Sequence, residues 1–336
     1  MRTERYVDME SPITGGKVKE VCDVEEKTFR KERYSVHVRY YICDDSGEEF
    51  TTTEQDDLFT NELYNQYRVR HGFPFPDEIR SIRERYGFNY AQISKIMGFG
   101  INQWKQYEEG NVPSESNARQ ILAAGSKDGM RNMVWASRSE FTQDELAKIY
   151  EAIESSQEDR DVQEQRLYYG ATERGIMNGF AAKDAAKLKA MVLYLIMKEG
   201  GKICPTKLNK EMFYSDFSHY QRTGSAISGL SYRAIQYGPV PEHYATIYDN
   251  IDGISKEMVI RHDSATVDFK LADGIMIDTG VLSKDELATL DAVSAALRPL
   301  STAAVVARSH EEEAWTANSA QHSLIPYSFA FSLKAL

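Results

Sequence analysis

The stretch Asn89–Pro113, NYAQISKIMGFGINQWKQYEEGNVP, constrains this chain more than any other. Gly98 and Gly100 separate two runs in which apolar residues recur at helical spacing. Ile93, Ile96 and Met97 form the inward face of the first run, and Ile101, Trp104 and Tyr107 that of the second. A tight turn between helices needs small residues where backbones approach. The two glycines supply that, and Ala91 is small enough for close packing. Gly110 suits a helix cap and Pro113 a stop. The pattern predicts two short helices, the second turning Asn102, Gln103 and Gln106 outward with Lys105 at the side.

A polar face on the second of two such helices has the layout of a helix-turn-helix that reads DNA. Asn and Gln can bond an adenine edge bidentately in the major groove. Lys105 and Arg83 can hold phosphates, which fixes register without reading sequence. Charge argues for restraint. The chain carries 40 Lys+Arg against 51 Asp+Glu, a net charge of −11, so its overall field does not attract nucleic acid. Residues 76–125 hold six basic and six acidic side chains, so the module is locally neutral. A modest contact is expected, strengthened if two copies pair as a homodimer on a two-fold site. Spacing alone leaves a plain helical hairpin within a larger domain as the alternative.

At 336 residues the chain has room for two or three domains, and its 42% hydrophobic and 27% charged content is that of a globular protein. The fold expected is α+β and multidomain. The longest apolar run, Ala190–Met197, is too short for a bilayer, so no membrane partner is expected. MRTERYVDME has no apolar core, so no signal peptide is expected. Cys22, Cys43 and Cys204 are far apart and odd in number, which suits a reducing cytoplasm better than a disulfide framework.

Residues 1–71 read as a small antiparallel sheet followed by a helix. Tyr34–Cys43 alternates, with Val36, Val38, Tyr40 and Ile42 on one face; Val18–Val24 is a weaker partner strand and Asp44–Gly47 a turn. Glu54–Arg70 is a polar helix stopped by Gly72 and Pro74. Residues 72–126 hold the helix-turn-helix, opened by a helix starting at Pro76. Residues 127–182 form a helical linker. It includes an amphipathic helix from Phe141 to Ile153 with the capping pair Thr142/Glu145, then the polar segment SSQEDRDVQEQR.

From 183 to 336 the pattern changes to a mainly α domain with a hairpin. Leu188–Glu199 is strongly apolar, Thr206 caps a helix through Tyr220, and Tyr232–Val240 is extended, closing in a rigid Gly238-Pro239-Val240-Pro241 corner. Pro241 is expected to start a helix bearing Glu242, His243 and Tyr244. Met258–Arg261 and Val267–Leu271 read as a hairpin. Ser283/Glu286 caps a helix that Pro299 stops, and Ser301–Ser309 forms a last short one.

Two resemblances add to this reading. GFGINQWKQYEEGNVPS resembles the DNA-binding half of the MqsA-type antitoxins and the wider lambda-repressor-like group. In MqsA-type proteins the start and middle of the recognition helix read the operator; those positions are Asn102 and Gln106 here. The second is usually arginine in that family, so the target sequence does not carry over. The same family has a zinc ribbon with two Cys-x-x-Cys pairs ahead of the helix-turn-helix. Here Ser11, Thr14, Cys43 and Ser46 stand at those four positions. Three of the four are hydroxyls, which are not structural zinc ligands, so a degenerate ribbon without metal is expected.

LNKEMFYSDFSHYQRTGSAISGLSYRAIQYGPVPEHY (208–244) and ARSHEEEAW (307–315) resemble the Panacea, or SocA-like, antitoxin domain. This resemblance implies neutralisation of a cognate protein toxin by direct binding; operator DNA, the second expected partner, follows from the helix-turn-helix. Tyr232, Arg233, Tyr237 and His243 are the candidate toxin-facing residues, since Tyr and Arg are favoured at interface hot spots. A hydrogen-bond network inside the domain is the alternative for each. Asp216, His219 and His243 are the only hint of acid–base or metal chemistry. No phosphate loop, nucleophile elbow or His-x-x-x-His pair accompanies them, so neither an enzyme nor a cofactor is expected. A stand-alone transcriptional regulator with a sensing C-terminal half, or a proteolytic adaptor, remains open.

Overall fold

Alternation between Val18 and Cys43 produces two long strands at the start of the chain. In a computed structural model that describes residues 2–156, 168–169, 173–261 and 264–334, β1 (Thr3–Glu10), β2 (Lys17–Phe29), β3 (Glu32–Cys43) and β4 (Glu49–Phe50) form an antiparallel sheet in chain order. β2 and β3 pair without a slip from Val18↔Cys43 to Phe29↔Glu32. Tyr34 and Val36 are buried as the alternation predicts, whereas Val38, Tyr40 and Ile42 are only partly covered. Helix α1 (Thr53–His71) follows, with Glu54 and Asp56 in its first turn and Arg68, Arg70 and His71 in its last, signs that suit the helix dipole.

By contacts the chain groups into two compact units, one made of Met1–Glu62 with Asp161–Leu336, the other of Leu63–Arg160. Most of the polar segment expected to link domains, from residue 157 onward, lies outside the described residues.

The unit Leu63–Arg160 is helical: α2 (Pro76–Arg85), α3 (Tyr90–Met97), α4 (Gln103–Glu108), α5 (Glu115–Ala124), α6 (Lys127–Ala136) and α7 (Gln143–Ser155). Ile79, Ile93, Trp104, Ile121, Met130 and Ile153 share its core. The start and stop signals are used largely as the sequence predicts. Pro76 opens α2, the capping pair Thr142/Glu145 opens α7, and Gly98 ends α3 in the left-handed region at φ 67°. Ile101 differs: it is 77% exposed. Helix α4 starts only at Gln103, so Ile101 sits in the turn, out of phase with Trp104 and Tyr107. Phe99 takes the inward place instead, its ring centroid 6.2 Å from that of Trp104 and 5.9 Å from that of Tyr107.

In the other unit, α8 (Ala185–Lys198) and α9 (Pro205–Thr223), joined through the short strand β5 (Lys202–Ile203), are the buried helices of the C-terminal half. Pro205 rather than Thr206 opens α9, and Cys204 is its N-cap; a first-turn proline loses no helical hydrogen bond. The segment expected to be one extended piece is a tight hairpin, β6 (Tyr232–Ile235) against β7 (Gly238–Pro241), turning at Gln236 and Tyr237. Gly238–Pro241 is thus a strand, not a corner. Gly238 has φ 93°, and a Cβ there would lie 2.4 Å from Ser309 Oγ and 2.6 Å from Lys210 Cε, so any other residue would be strained and would have to displace both side chains. Helix α10 (Tyr244–Asn250) begins after His243, which sits in the left-handed region, so Glu242 and His243 are outside it. β8 (Ile254–Arg261) and β9 (Ser264–Leu271) form the second hairpin. Ser283 and Glu286 form the capping box of α11 (Lys284–Leu297), followed by α12 (Thr302–His310). An antiparallel sheet at the start with many helices after it is an α+β chain. No single helix among the described residues is long and apolar enough to cross a membrane.

The N-terminal sheet and the C-terminal half meet within their common unit. Glu62 of α1 accepts from His37 N at 2.7 Å and pairs with His37 Nδ1 at 2.8 Å, while the His37 ring stacks on Phe331 at 3.9 Å. Arg39 donates to the Gln221 carbonyl at 3.1 Å.

Candidate functional site

Helices α3 and α4 present a polar face. Asn102, Lys105 and Gln106 are exposed, and Lys105 Nζ lies 3.5 Å from Glu109. Gln103 belongs to the turn instead. Its Oε1 accepts from Gly100 N at 3.2 Å and its Nε2 donates to Tyr107 OH at 2.7 Å, so its amide holds the entry to α4.

Arg83 also has an internal task. Its guanidinium donates to Glu108 through Nε at 2.6 Å and Nη2 at 2.9 Å, and its side chain is 14% exposed. The buried Glu108 carboxylate further accepts from Trp104 Nε1 at 2.8 Å and Tyr90 OH at 3.1 Å. Burial works to raise the carboxyl of Glu108, but the bonds from Arg83 and Trp104 outweigh it and hold it below the usual range. A guanidinium committed to such a pair is not a phosphate holder, which corrects the expectation for Arg83. The signal for Glu108 was present in the sequence as its position four residues after Trp104, one helical turn along.

The four positions of the degenerate ribbon converge. Thr14 Oγ1 lies 3.2 Å from Cys43 Sγ, and the hydroxyls of Ser11 and Ser46 are near enough to the sulfur to favour its thiolate. Ser11 Oγ accepts from the amides of Ile13 and Thr14 at 3.2 and 3.4 Å, and Ser46 Oγ from Glu48 N at 3.3 Å. Hydrogen bonds from Ser11 above all, then Ser46 and Thr14, hold the Cys43 thiol down at about 6. Two turns meet at one sulfur, with hydroxyls at the other three positions, that of Thr14 donating to Asp45 Oδ2 at 2.9 Å.

The candidate toxin-facing residues separate into two kinds. Tyr232 is fully buried. Its hydroxyl donates to Asp216 Oδ2 at 2.6 Å, and its ring meets Phe213 and Phe217 edge-on, each at 5.7 Å. It is a core residue, so its placement on a partner-facing surface is corrected. Arg233 is half exposed, with Nη2 2.5 Å from Glu242 and Nη1 donating to the His322 carbonyl at 2.7 Å. Tyr237 is 61% exposed at the turn of the β6–β7 hairpin. His243 is exposed beyond its open end, where Tyr232 pairs with Pro241. Gly238–Pro241, roughly 13 Å of strand, and then Glu242 lie between them.

Asp216, His219 and His243 do not form one site. Asp216 is fully buried and accepts from Ile227 N at 2.9 Å, Ser228 N at 2.8 Å, the Ser228 hydroxyl and Tyr232. Burial nevertheless raises its carboxyl. His219 Nδ1 pairs with Thr289 Oγ1 at 3.1 Å. Burial pushes its imidazole down to about 4, so it stays neutral. Among the described residues no group of three His, Cys, Asp or Glu is placed to hold a metal.

Residues 208–316 match the family described as antitoxin SocA-like, Panacea domain. The match spans less than half of the chain and covers α9, both C-terminal hairpins, α11 and α12. It supports a Panacea domain in the C-terminal half and suggests an antitoxin of a toxin–antitoxin system, with a toxin as partner; families of this kind are generally non-enzymatic. Neither a curated protein nor a solved structure matches the chain.

Proposed function

We propose that this chain, Panacea-like in its C-terminal half, is the antitoxin of a type II toxin–antitoxin system. The C-terminal half neutralises a cognate toxin by direct binding, and the α3–α4 pair, an MqsA-like helix-turn-helix, represses the chain's own operon. The match of residues 208–316 carries the antitoxin reading. Exposure of Asn102 just before a short helix and of Gln106 on it, beside Lys105, supports the DNA reading. A locally neutral module binds phosphate weakly, so a homodimer on a two-fold operator is part of the proposal. The reading places the chain in the cytoplasm, with neither a membrane nor a cofactor involved.

For the toxin, Arg233, Tyr237 and His243 are the surface proposed. Tyr237 offers a large exposed ring, and Arg233 a planar cation already oriented by Glu242.

One pair of full-length variants tests both arms, each co-expressed with the reading frame beside this chain's gene. Asn102→Ala/Gln106→Ala is expected to protect growth as the parent does while losing retention of its promoter DNA. Tyr237→Ala/His243→Ala is expected to keep the promoter complex and lose protection. Full protection by the second pair removes that surface from the toxin contact. An unchanged promoter complex with the first pair removes the α3–α4 face from DNA reading.

A further inference from the structure

The β2–β3 hairpin closes in two residues, Arg30 and Lys31, between the last ladder pair Phe29↔Glu32. Both lie in the left-handed region, at φ 46° and 72°. A two-residue turn of this shape asks for positive φ at both central positions, which is why Asn-Gly or Asp-Gly is the usual choice. A long side chain with a Cβ is strained there. This chain nevertheless places two cations at the apex, and both are exposed.

The flanks add to them. KTFRKER, residues 27–33, holds four cations and one acid in a chain whose net charge is −11. The Arg33 side chain is 81% exposed and lies 4.0 Å from Glu26. Lys27 pairs with Glu25 at 2.5 Å, and the Arg30 guanidinium lies 5.3 Å from the Phe29 ring centroid. The lone acid, Glu32, accepts from Tyr34 OH at 2.7 Å.

We propose that the strained Arg30–Lys31 apex, with Arg33 and Lys27 behind it, is a phosphate-binding tip that grips duplex DNA irrespective of sequence. It rests on the reading of the chain as DNA-binding made above. A two-stranded ribbon is narrow enough for the major groove. Arginine matches phosphate oxygens in a fork. An acidic protein is the less suitable partner. A protein interface wants an apolar centre, and the one large apolar side chain at this tip, Phe29, is only partly exposed.

The test uses the full chain and Arg30→Asn/Lys31→Gly, the pair that relieves the turn. Binding is followed by fluorescence anisotropy on a promoter duplex and on an unrelated duplex of equal length, across a salt series. The thermal midpoint of the variant is expected to equal or exceed the parent's, so a folding defect would not account for lost binding. Affinity should fall roughly tenfold on both duplexes, and the slope of log K against log salt should shrink by about 1 to 2. An unchanged slope overturns the proposal. So does a parent chain that leaves the unrelated duplex unbound, or polyglutamate competing as well as DNA at equal ionic strength. Asn102→Ala keeps the two readings apart: it should remove preference for the promoter and leave the salt slope alone.

Discussion

Arg83 holds Glu108 in a fork, Nε to Oε1 at 2.6 Å and Nη2 to Oε2 at 2.9 Å, and so ties α2 to the C-terminal end of α4. The pair orients the short helix that carries Lys105 and Gln106 without facing a ligand itself.

Breaking this buried pair from either side should therefore cost stability. Arg83→Ala and Glu108→Gln are each expected to lower unfolding free energy by about 3 kcal/mol, because each leaves a buried partner uncompensated. The double variant should lose much less than the sum, since both remove the same interaction. The folded carboxyl of Glu108 is depressed, so its contribution is present above the unfolded value of 4.5 and is lost as pH falls through the folded one. Urea melts of parent and Glu108→Gln should converge on acidification. Melts that stay equally far apart at all pH would contradict this.

Two neighbours on α9 should give stability an unusual pH profile. Glu211 is fully buried, and neither of its carboxyl oxygens has a hydrogen-bond partner among the described residues; burial, then the adjacent Glu199, raises it well above the carboxylate range. Lys210 is equally buried, its Nζ donating to the Pro239 carbonyl at 2.8 Å, and burial pushes it down to about 7. The signs are opposite. A raised acid contributes stability that is full below its unfolded value and falls as pH rises until the folded group ionises. A depressed lysine contributes stability that is full above 10.5 and falls as pH drops towards about 7. Glu211→Gln should thus gain on the parent between pH 5 and 8. Lys210→Met should gain on it as pH falls from 10 to 7. Thermal melts across that range check both.

Three thiols should turn the hydroxyl cluster into a metal site. Ser11, Thr14 and Ser46 stand at the three other ligand positions, with Thr14 Oγ1 3.2 Å from Cys43 Sγ. Ser11→Cys/Thr14→Cys/Ser46→Cys is expected to bind one zinc per chain and to raise the thermal midpoint in its presence. Metal analysis after gel filtration gives the answer, and a variant that elutes without zinc would show that the two turns do not approach a tetrahedral arrangement.

Tyr232→Phe should affect folding, not partner binding. The hydroxyl donates to a carboxylate that keeps three other donors, so a loss of about 1 to 2 kcal/mol is expected. Undiminished stability together with weakened toxin binding would return Tyr232 to the surface.

Local signals were legible in the sequence because they act over a few residues. The caps at Thr142 and Ser283, the proline start of α2 and the alternation of β3 depend only on near neighbours. What was not legible depends on distant ones. Nothing near Tyr232 distinguishes a hot spot from a core tyrosine until Asp216, sixteen residues earlier, is known to face it. Arg83 looked like a phosphate holder because Glu108 lies twenty-five residues on. Ile101 leaves the core for a nearer reason, since a two-residue delay in the start of α4 turns it to solvent. The hairpin at Gln236–Tyr237 carries neither Asn-Gly nor Asp-Gly, so its turn gave no signal either.

The most direct measurement is co-purification of the full chain with the product of the reading frame beside its gene, combined with growth of the same cells. The account predicts that growth is restored and that both proteins elute as one complex, lost on Tyr237→Ala/His243→Ala. Growth unaffected by that reading frame alone, or growth restored with the two proteins eluting apart, would contradict neutralisation by direct binding.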